Sequence, residues 1–412
     1  MKKIISLILA FVMSALSAVC AFAAPVKGTD GAMTSASPKE SYSMIWHRAM
    51  TDFGDELGAI GGRDRTVFID FKAGADGSGL RFQFNNLDPK QGELKAMTVF
   101  VNGKCYQVTY KGDKDIKVPG GQVVYSDPVN VTVKRNDPIQ IRIFYHKIAV
   151  GFNSACNDGP FTKKGNQTET NYSNGIPMTK AERELSTLAI IPLLSAVEIK
   201  APQPIQSIVV FGDSIIAHNR WVRPLAQRVS DYYGGKYSVL NSGISGNCLS
   251  YMAPGSLGKF FGVKGTDRFQ RDVLDLTNVH TVILCLGVND VANMTDDNKN
   301  ELNVDKMIAD TTSLVKQLRA RGIRVVAQTI TPRKGYFNGS FFTDQQEQYR
   351  QQYNAWLRSC GLFDYLIDFD ACVRDPDHPD EFREGLHQGD HLHPSVEGGK
   401  VMANYVDLNK LV

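Results

Sequence analysis

Five residues in the second half of the chain have the types and settings that nucleophilic acyl chemistry needs. Ser214 ends the run Gly212-Asp213-Ser214, directly after the apolar segment Ser207–Phe211. A serine at the opening of a strand-to-helix connection holds its hydroxyl exposed and aims its own N–H at a developing oxyanion. Gly246 closes the turn Asn241-Ser-Gly-Ile-Ser-Gly246 and, having no side chain, can bring a second backbone N–H close to a substrate. Asn289, in Gly287-Val-Asn289-Asp290, offers a side-chain N–H as a third donor. Preorganised donors of this kind are worth roughly 3–4 kcal/mol each in the transition state. A serine is a weak nucleophile until a base takes its proton. His393 is the candidate base, and Asp390, three residues earlier, is placed to hold its second ring nitrogen.

Positioning these residues requires a parallel sheet. After Ala201-Pro-Gln-Pro204 the chain alternates apolar strands with amphipathic helices. The strands are expected at Ser207–Phe211, Ser238–Asn241, Thr281–Gly287, Arg324–Ile330 and Tyr365–Phe369. The helices are expected near 221–233, 267–276, 301–321, 343–359 and 395–406, and Met307, Thr311, Leu314 and Leu318 mark one buried face. This is the doubly wound α/β class, flavodoxin-like, with three α/β/α layers around five parallel strands. In the common strand order 2-1-3-4-5, the second and third strands flank the first, and ligands bind outside the carboxyl ends. The serine, the glycine-rich turn and the asparagine then meet at one edge.

Residues 41–200 read differently. Thr66–Phe71, Leu80–Phe84, Met97–Val101, Val129–Val133 and Ile139–Phe144 alternate apolar and polar positions, with turns at Asn102-Gly103 and Pro119-Gly-Gly121. Period two between turns predicts an antiparallel β-sandwich of jelly-roll type. Residues 151–185, rich in Asn, Gly, Thr and Ser, read as a surface excursion, and Leu188–Ile199 as a returning strand interrupted by Pro192. Ahead of them, Lys2-Lys3, the apolar run Ile4–Val19 and Ala21-Phe-Ala23 have the form of a cleavable signal peptide over 1–23, followed by a flexible leader over 24–40. Val19 before Cys20 fits a lipoprotein signal poorly. A secreted or periplasmic location follows, without a membrane anchor after cleavage.

The 412 residues are 42% hydrophobic and 22% charged, with a net charge of +3, which belongs to a globular protein of two or three domains. Removing the leader lysines leaves +1, so nothing favours nucleic acid or another polyanion as partner, and oligomeric state stays open. Six cysteines remain after cleavage. Cys285, inside Thr281–Leu286, reads as a buried free thiol, while Cys105 with Cys156 and Cys360 with Cys372 are candidate disulfides.

Gly212-Asp213-Ser214, Gly246, Gly287-Val-Asn289-Asp290 and Asp390-His-Leu-His393 resemble the four motif blocks of the SGNH (GDSL-type) hydrolases, in order and across about residues 205–412. Asn241–Asn247, Asp390–Pro394 and Ser126–Val131 are similar to stretches of a subgroup of bacterial secreted acylhydrolases, some linked to xylan degradation, that carry an N-terminal β-domain. The resemblance implies Ser214 as nucleophile, Ser214, Gly246 and Asn289 as oxyanion hole, and Asp390 with His393 completing the triad. It implies hydrolysis of acyl esters through an acyl-enzyme, without metal or other cofactor. Ile215-Ile-Ala-His218 replaces the more usual Ile-Thr-Asp-Gly type of segment, which bears on the active-site rim.

Rival readings exist for several residues. Ser242 and Ser245 read as turn residues rather than second nucleophiles, and Asp213 and Asp290 as loop braces. His387, Asp390, His391 and His393 cluster as a metal site would, but no second ligand cluster accompanies them. His387 and His391 read as surface or rim positions. His218, Trp221 and His391 are candidates for contacting substrate, Trp221 equally for packing. Tyr106, Tyr110 and Tyr125 read as ordinary strand residues, with sugar stacking the minority alternative. The expected function is a secreted serine esterase acting on acyl, chiefly acetyl, esters of small molecules or plant polysaccharide. The alternatives are a lipase or thioesterase, and a carbohydrate-binding protein with an inactive hydrolase domain. A histidine base predicts activity rising through roughly pH 6–7.

Overall fold

In a computed structural model of the chain, residues 42–52, 63–147, 152–155, 161–168 and 189–412 are described. The signal-peptide and leader readings, Cys156 and most of the 151–185 excursion lie outside them. Residues 41–412 form one compact unit.

The described residues up to Lys200 build antiparallel strands: β1 (Tyr42–His47), β2 (Arg63–Lys72), β3 (Gly77–Asn85), β4 (Gly92–Leu94), β5 (Ala96–Val101), β6 (Lys104–Val108), β7 (Ile116–Val118), β8 (Val123–Tyr125), β9 (Val129–Val133), β10 (Pro138–Lys147), β11 (Phe152–Ala155), β12 (Phe161–Lys164), β13 (Ala189–Pro192) and β14 (Leu194–Lys200). Two five-stranded sheets result. One has the order β1-β14-β3-β8 with β9 also on β3, the other β12-β2-β10-β5-β6. The core between them is aliphatic and phenyl: Val67, Ile69, Leu80, Phe82, Phe84, Met97, Val99, Ile141 and Ile143 are buried at alternate positions. The expected return strand over 188–199 is two strands instead. Leu193 adopts a left-handed φ of 60° between them, which ends β13 at Pro192 and lets β14 pair with β1 and β3.

The second half holds β15 (Gln206–Gly212), β16 (Tyr237–Gly243), β17 (Val279–Cys285), β18 (Arg324–Gln328) and β19 (Tyr365–Ile367), all parallel, in the order β16-β15-β17-β18-β19. That is the 2-1-3-4-5 order. Ile208, Val209, Val210 and Phe211 are all fully buried, because helices cover both faces of this sheet and leave no side for polar alternation. The helices Val222–Tyr233, Val304–Arg319, Asp344–Ser359 and Val396–Tyr405 fall where periodicity places them. Between Gly265 and Leu274 an α-turn runs into a π-helical turn, Gln270–Leu274, rather than one regular helix. Met307, Thr311, Leu314 and Leu318 form the buried stripe of their helix. Among the described residues, no helix is long and apolar enough to cross a membrane.

The sandwich meets the parallel sheet along β1 and β16. Arg48 bridges Asn241 in parallel register, and Ser238 Oγ donates to the Met44 carbonyl at 2.7 Å. A cavity of about 380 Å³ lies at this seam, lined by Trp46, Asp70, Phe71, Asn219 and Arg223 among others. None of the five residues singled out for chemistry lines it.

Cys360 and Cys372 are free thiols, not a disulfide. Each belongs to its own helix end: Cys360 caps Asp344–Ser359, while Cys372 is buried in the short helix Phe369–Val373. Cys285 is a buried free thiol at the end of β17.

Candidate active site

Strand β15 ends at Gly212, and Asp213 caps the one-turn helix Ser214–Ala217 by accepting from the Ile215 N–H at 3.0 Å. Ser214 thus starts a helical turn directly beyond a strand end. From the loop after β19 comes its partner. With Nδ1 protonated, His393 donates to Asp390 Oδ2 at 2.6 Å, and Ser214 Oγ–H donates to His393 Nε2 at 2.8 Å. The other carboxylate oxygen of Asp390 accepts the backbone N–H groups of Leu392 and His393, at 3.1 and 2.9 Å, so the loop is folded around this one side chain. Partial burial pushes the Asp390 carboxyl up, but the hydrogen bond and charge of His393, with Gln388 behind, hold it well below the usual carboxylate range.

In the turn after β16, Gly246 takes a left-handed φ of 76°, and a Cβ there would stand 2.1 Å from the Phe261 ring. Only glycine serves at this turn. Asn289 opens a helix after β17 and donates one Nδ2–H to the Asn247 carbonyl at 3.0 Å, which ties it to the residue following Gly246. Asp290 is wholly buried and accepts the Leu249 and Ser250 N–H groups at 2.7 and 2.8 Å. Burial pushes Asp290 up to about 6 and Asp213 up to about 7; Asp213 Oδ2 has no hydrogen-bond partner among the described residues. Both brace loops. Ser242 is fully buried and donates to the Asp272 carbonyl, so it is a turn residue; Ser245 sits half-exposed in the same turn.

The sequence gives no signal for the side chain that holds these strand ends together. Arg268 is buried, and its guanidinium donates to the Gly212 carbonyl (2.8 Å), the Ser242 carbonyl (3.0 Å), Asn247 Oδ1 (2.9 Å) and Asp272 (3.0 Å). It therefore joins the end of β15, the end of β16 and the loop bearing Gly246. Burial lowers Arg268 to about 10 against the raising effect of Asp272. A second unsignalled contact comes from the sandwich: Arg48 donates to the Ala217 carbonyl at 2.8 Å, at the end of the turn that carries Ser214.

The residues expected to contact substrate divide three ways. His218 is buried with its ring centroid 4.4 Å from that of His393, and burial, then the neighbouring His393, holds it far below the ordinary imidazole value. It is a neutral neighbour of the base. Trp221 is completely buried, edge-on to Phe369 at 5.0 Å, so it is a packing anchor and does not reach the site. His391, at φ 61°, stacks on His387 at 4.3 Å and lies over Gly335. His387 is not at the surface: its side chain is 2% exposed, its Nδ1 accepts from Gly389 and His391, and its Nε2 faces Glu384. Burial is the reason it escapes the rim; it is the internal post on which the Asp390 loop turns.

Sequence motifs also overlook the loop after β18. Tyr336 lies edge-on to His393, centroids 6.0 Å apart, and clusters with Phe337 and Phe341. In the sandwich, Tyr125 and Tyr42 lie under the Arg81 guanidinium, and Tyr106 and Tyr110 lie beside Lys104 and Lys111.

Residues 210–401 match the GDSL-like lipase/acylhydrolase family model. No curated protein matches the chain. Among solved structures, a protein of the G-D-S-L lipolytic family from Desulfitobacterium hafniense is similar over 48% of this chain and 97% of its own, at 19% identity and a TM-score of 0.35. A family two carbohydrate esterase from Clostridium thermocellum, solved with cellohexaose, covers 83% of this chain and 89% of its own, at 14% identity and 0.37. An acetyl xylan esterase variant from Geobacillus stearothermophilus covers 50% and 94%, at 19% and 0.37. Residues 210–401, just under half of the chain, are thus similar to the GDSL-like lipase/acylhydrolase family.

Proposed function

We propose that Ser214, His393 and Asp390 form the catalytic triad of a serine esterase for small acyl groups, acetyl foremost, carried on a plant polysaccharide such as xylan. The observation that carries the mechanism is the unbroken chain of hydrogen bonds from Ser214 Oγ through His393 to Asp390, at 2.8 and 2.6 Å. As Ser214 Oγ attacks the acyl carbon, its proton passes to His393 Nε2, and Asp390 stabilises the imidazolium without accepting that proton. The carbonyl oxygen, now anionic, is met by the N–H groups of Ser214, Gly246 and Asn289. Collapse of the tetrahedral intermediate breaks the ester C–O bond, and His393 gives its proton to the departing alcohol. Water then repeats the sequence on the acyl-enzyme, releasing the acid and restoring Ser214.

The polysaccharide substrate rests on the resemblance of Asn241–Asn247 and Asp390–Pro394 to secreted xylan-associated acylhydrolases. Export with cleavage after Ala23 rests on the leader sequence, and sequencing the N-terminus of the exported protein tests it. For the mechanism, Ser214→Ala is expected to lower kcat on an aryl acetate by at least about 10³-fold. Activity retained in that variant, or abolished by a chelator in the native protein, would overturn the triad.

A further inference from the structure

The loop between β18 and the helix Asp344–Ser359 presents three aromatic rings beside the base. Tyr336 is edge-on to His393 at 6.0 Å, Phe337 is 4.5 Å from Tyr336, and Phe341 is 5.3 Å from Phe337, centroid to centroid. Phe337 and Phe341 are each 39% exposed, among the few large apolar side chains left in water. Their placement is built in. Phe337 and Asn338 both adopt left-handed backbone, at φ 49° and 55°, between Gly335 at 89° and Gly339 at 82°. Such a run in non-glycine residues persists only where the surroundings hold it. Arg333, fully buried, supplies the hold: it donates to the Phe341 carbonyl and to Gln346 Oε1, while Gln346 donates to the Ala292 carbonyl in the helix that begins with Val288-Asn289. The exposed rings are therefore fastened to the same framework as the donor Asn289.

Which part of a substrate they meet follows from the chemistry of the triad. The departing alcohol oxygen must receive its proton from His393 Nε2, so the alcohol lies on the imidazole side of Ser214 and the oxyanion on the Gly246 and Asn289 side. Tyr336 touches the imidazole side. Asn338-Gly-Ser340 separates the adjacent rings Tyr336 and Phe337 from Phe341, and with Phe337 and Phe341 exposed the rings form an open wall rather than an enclosed slot. An open aromatic wall with polar edges suits a flat ring that has apolar C–H faces and a hydroxylated rim, and suits an alkyl chain poorly.

We propose that Tyr336, Phe337 and Phe341 form the alcohol subsite of the esterase and select esters whose alcohol is a pyranose, by stacking on the face of the sugar ring. The reading rests on the proposed triad. It separates the specificity of the two halves of the ester: the wall governs the alcohol, and the acyl group is judged elsewhere. Once the alcohol has left, the wall has nothing to hold, so hydrolysis of the acyl-enzyme is independent of it.

The test compares the native chain with Phe337→Ala, Phe341→Ala and the double variant, using an O-acetylated methyl xylopyranoside, ethyl acetate and ethyl butanoate. Both rings are exposed, and thermal melting checks that the variants remain folded. For the double variant, kcat/KM on the acetylated pyranoside is expected to fall about tenfold, chiefly through KM. Rates on ethyl acetate are expected to stay within about twofold, with the acetate-to-butanoate ratio unchanged. Equal losses on pyranoside and ethyl esters, an altered acyl-length ratio, or a native enzyme that ignores the pyranoside while cleaving ethyl acetate would each overturn the subsite. Failure of the triad reads out separately, as ethyl acetate hydrolysis that survives Ser214→Ala.

Discussion

The two flanks of Ser214 are made of different materials. Toward Gly246 and Asn289 the groups are buried and polar: Asp213, Asp290, Asp272 and Arg268 have almost no exposure, and they are bonded to backbone groups and to neighbouring polar side chains. Toward His393 the neighbours are rings, from the sealed His218 to Phe337 and Phe341 standing in water. The difference teaches what each flank must do. An oxyanion is the same in every ester, and its donors gain most from being fixed before the reaction, so that flank carries a dense internal network. The alcohol differs between substrates, and a wall of rings on a separately fastened turn can vary without touching the donors.

Three substitutions probe that contrast, beyond those of the triad and the wall. The largest effect is expected at the donor itself. Asn289→Ala should lower kcat about 10²–10³-fold, on ethyl acetate and acetylated pyranoside alike. A loss confined to one alcohol would erase the distinction between the flanks. Next comes the staple. Arg268→Gln removes the bonds to Gly212 and Ser242 and leaves Asp272 with Arg271 alone, which should cost about 3 kcal/mol of unfolding free energy in urea titration. Phe337→Ala, by contrast, should leave that quantity nearly unchanged, since its ring is exposed.

The last effect is a matter of pH. Asp213 is pushed up by burial to about 7 from an ordinary 3.8. Between these values the folded chain keeps a proton that the unfolded chain has released, so stability falls as pH rises, by about 4 kcal/mol at most across the window. Asp213→Asn preserves the acceptor for the Ile215 N–H and has no proton to lose. Its Tm is expected to exceed that of the native chain at pH 8 by a few degrees and to match it near pH 4. An unchanged Tm difference across that range would show that Asp213 is ionised in the folded state and that the donor flank tolerates its charge.

Much of this was legible from local pattern. Strand ends are marked by short motifs, and the chain returns each to one edge, so Ser214, Gly246, Asn289, Asp390 and His393 can be picked out without coordinates. The five strands and their order follow from apolar runs and the crossover helices between them. What escaped depends on distance or on burial. Arg268 bonds Gly212, 56 positions away, from within a stretch expected only as a helix near 267–276. His387 and His391 look alike in sequence, yet one is an internal post and the other covers Gly335. Trp221 follows the nucleophile closely enough to suggest a pocket, but the helix it opens turns it into the core. No periodicity marks Tyr336, Phe337 and Phe341, because a left-handed turn obeys neither helix nor strand spacing.

Strand β16 is the outermost of its sheet, and a lone outer strand carries a row of unsatisfied N–H and C=O groups inviting adhesion to another molecule. Here β1 of the sandwich runs alongside it, with Arg48 bridging Asn241 and Ser238 reaching the Met44 carbonyl. The N-terminal half thus covers the open edge of its neighbour's sheet. Severed at Ala201-Pro-Gln-Pro204, the second half would lose that shield together with the Arg48 grip on the serine's turn, and stickiness and slackness would arrive as one defect.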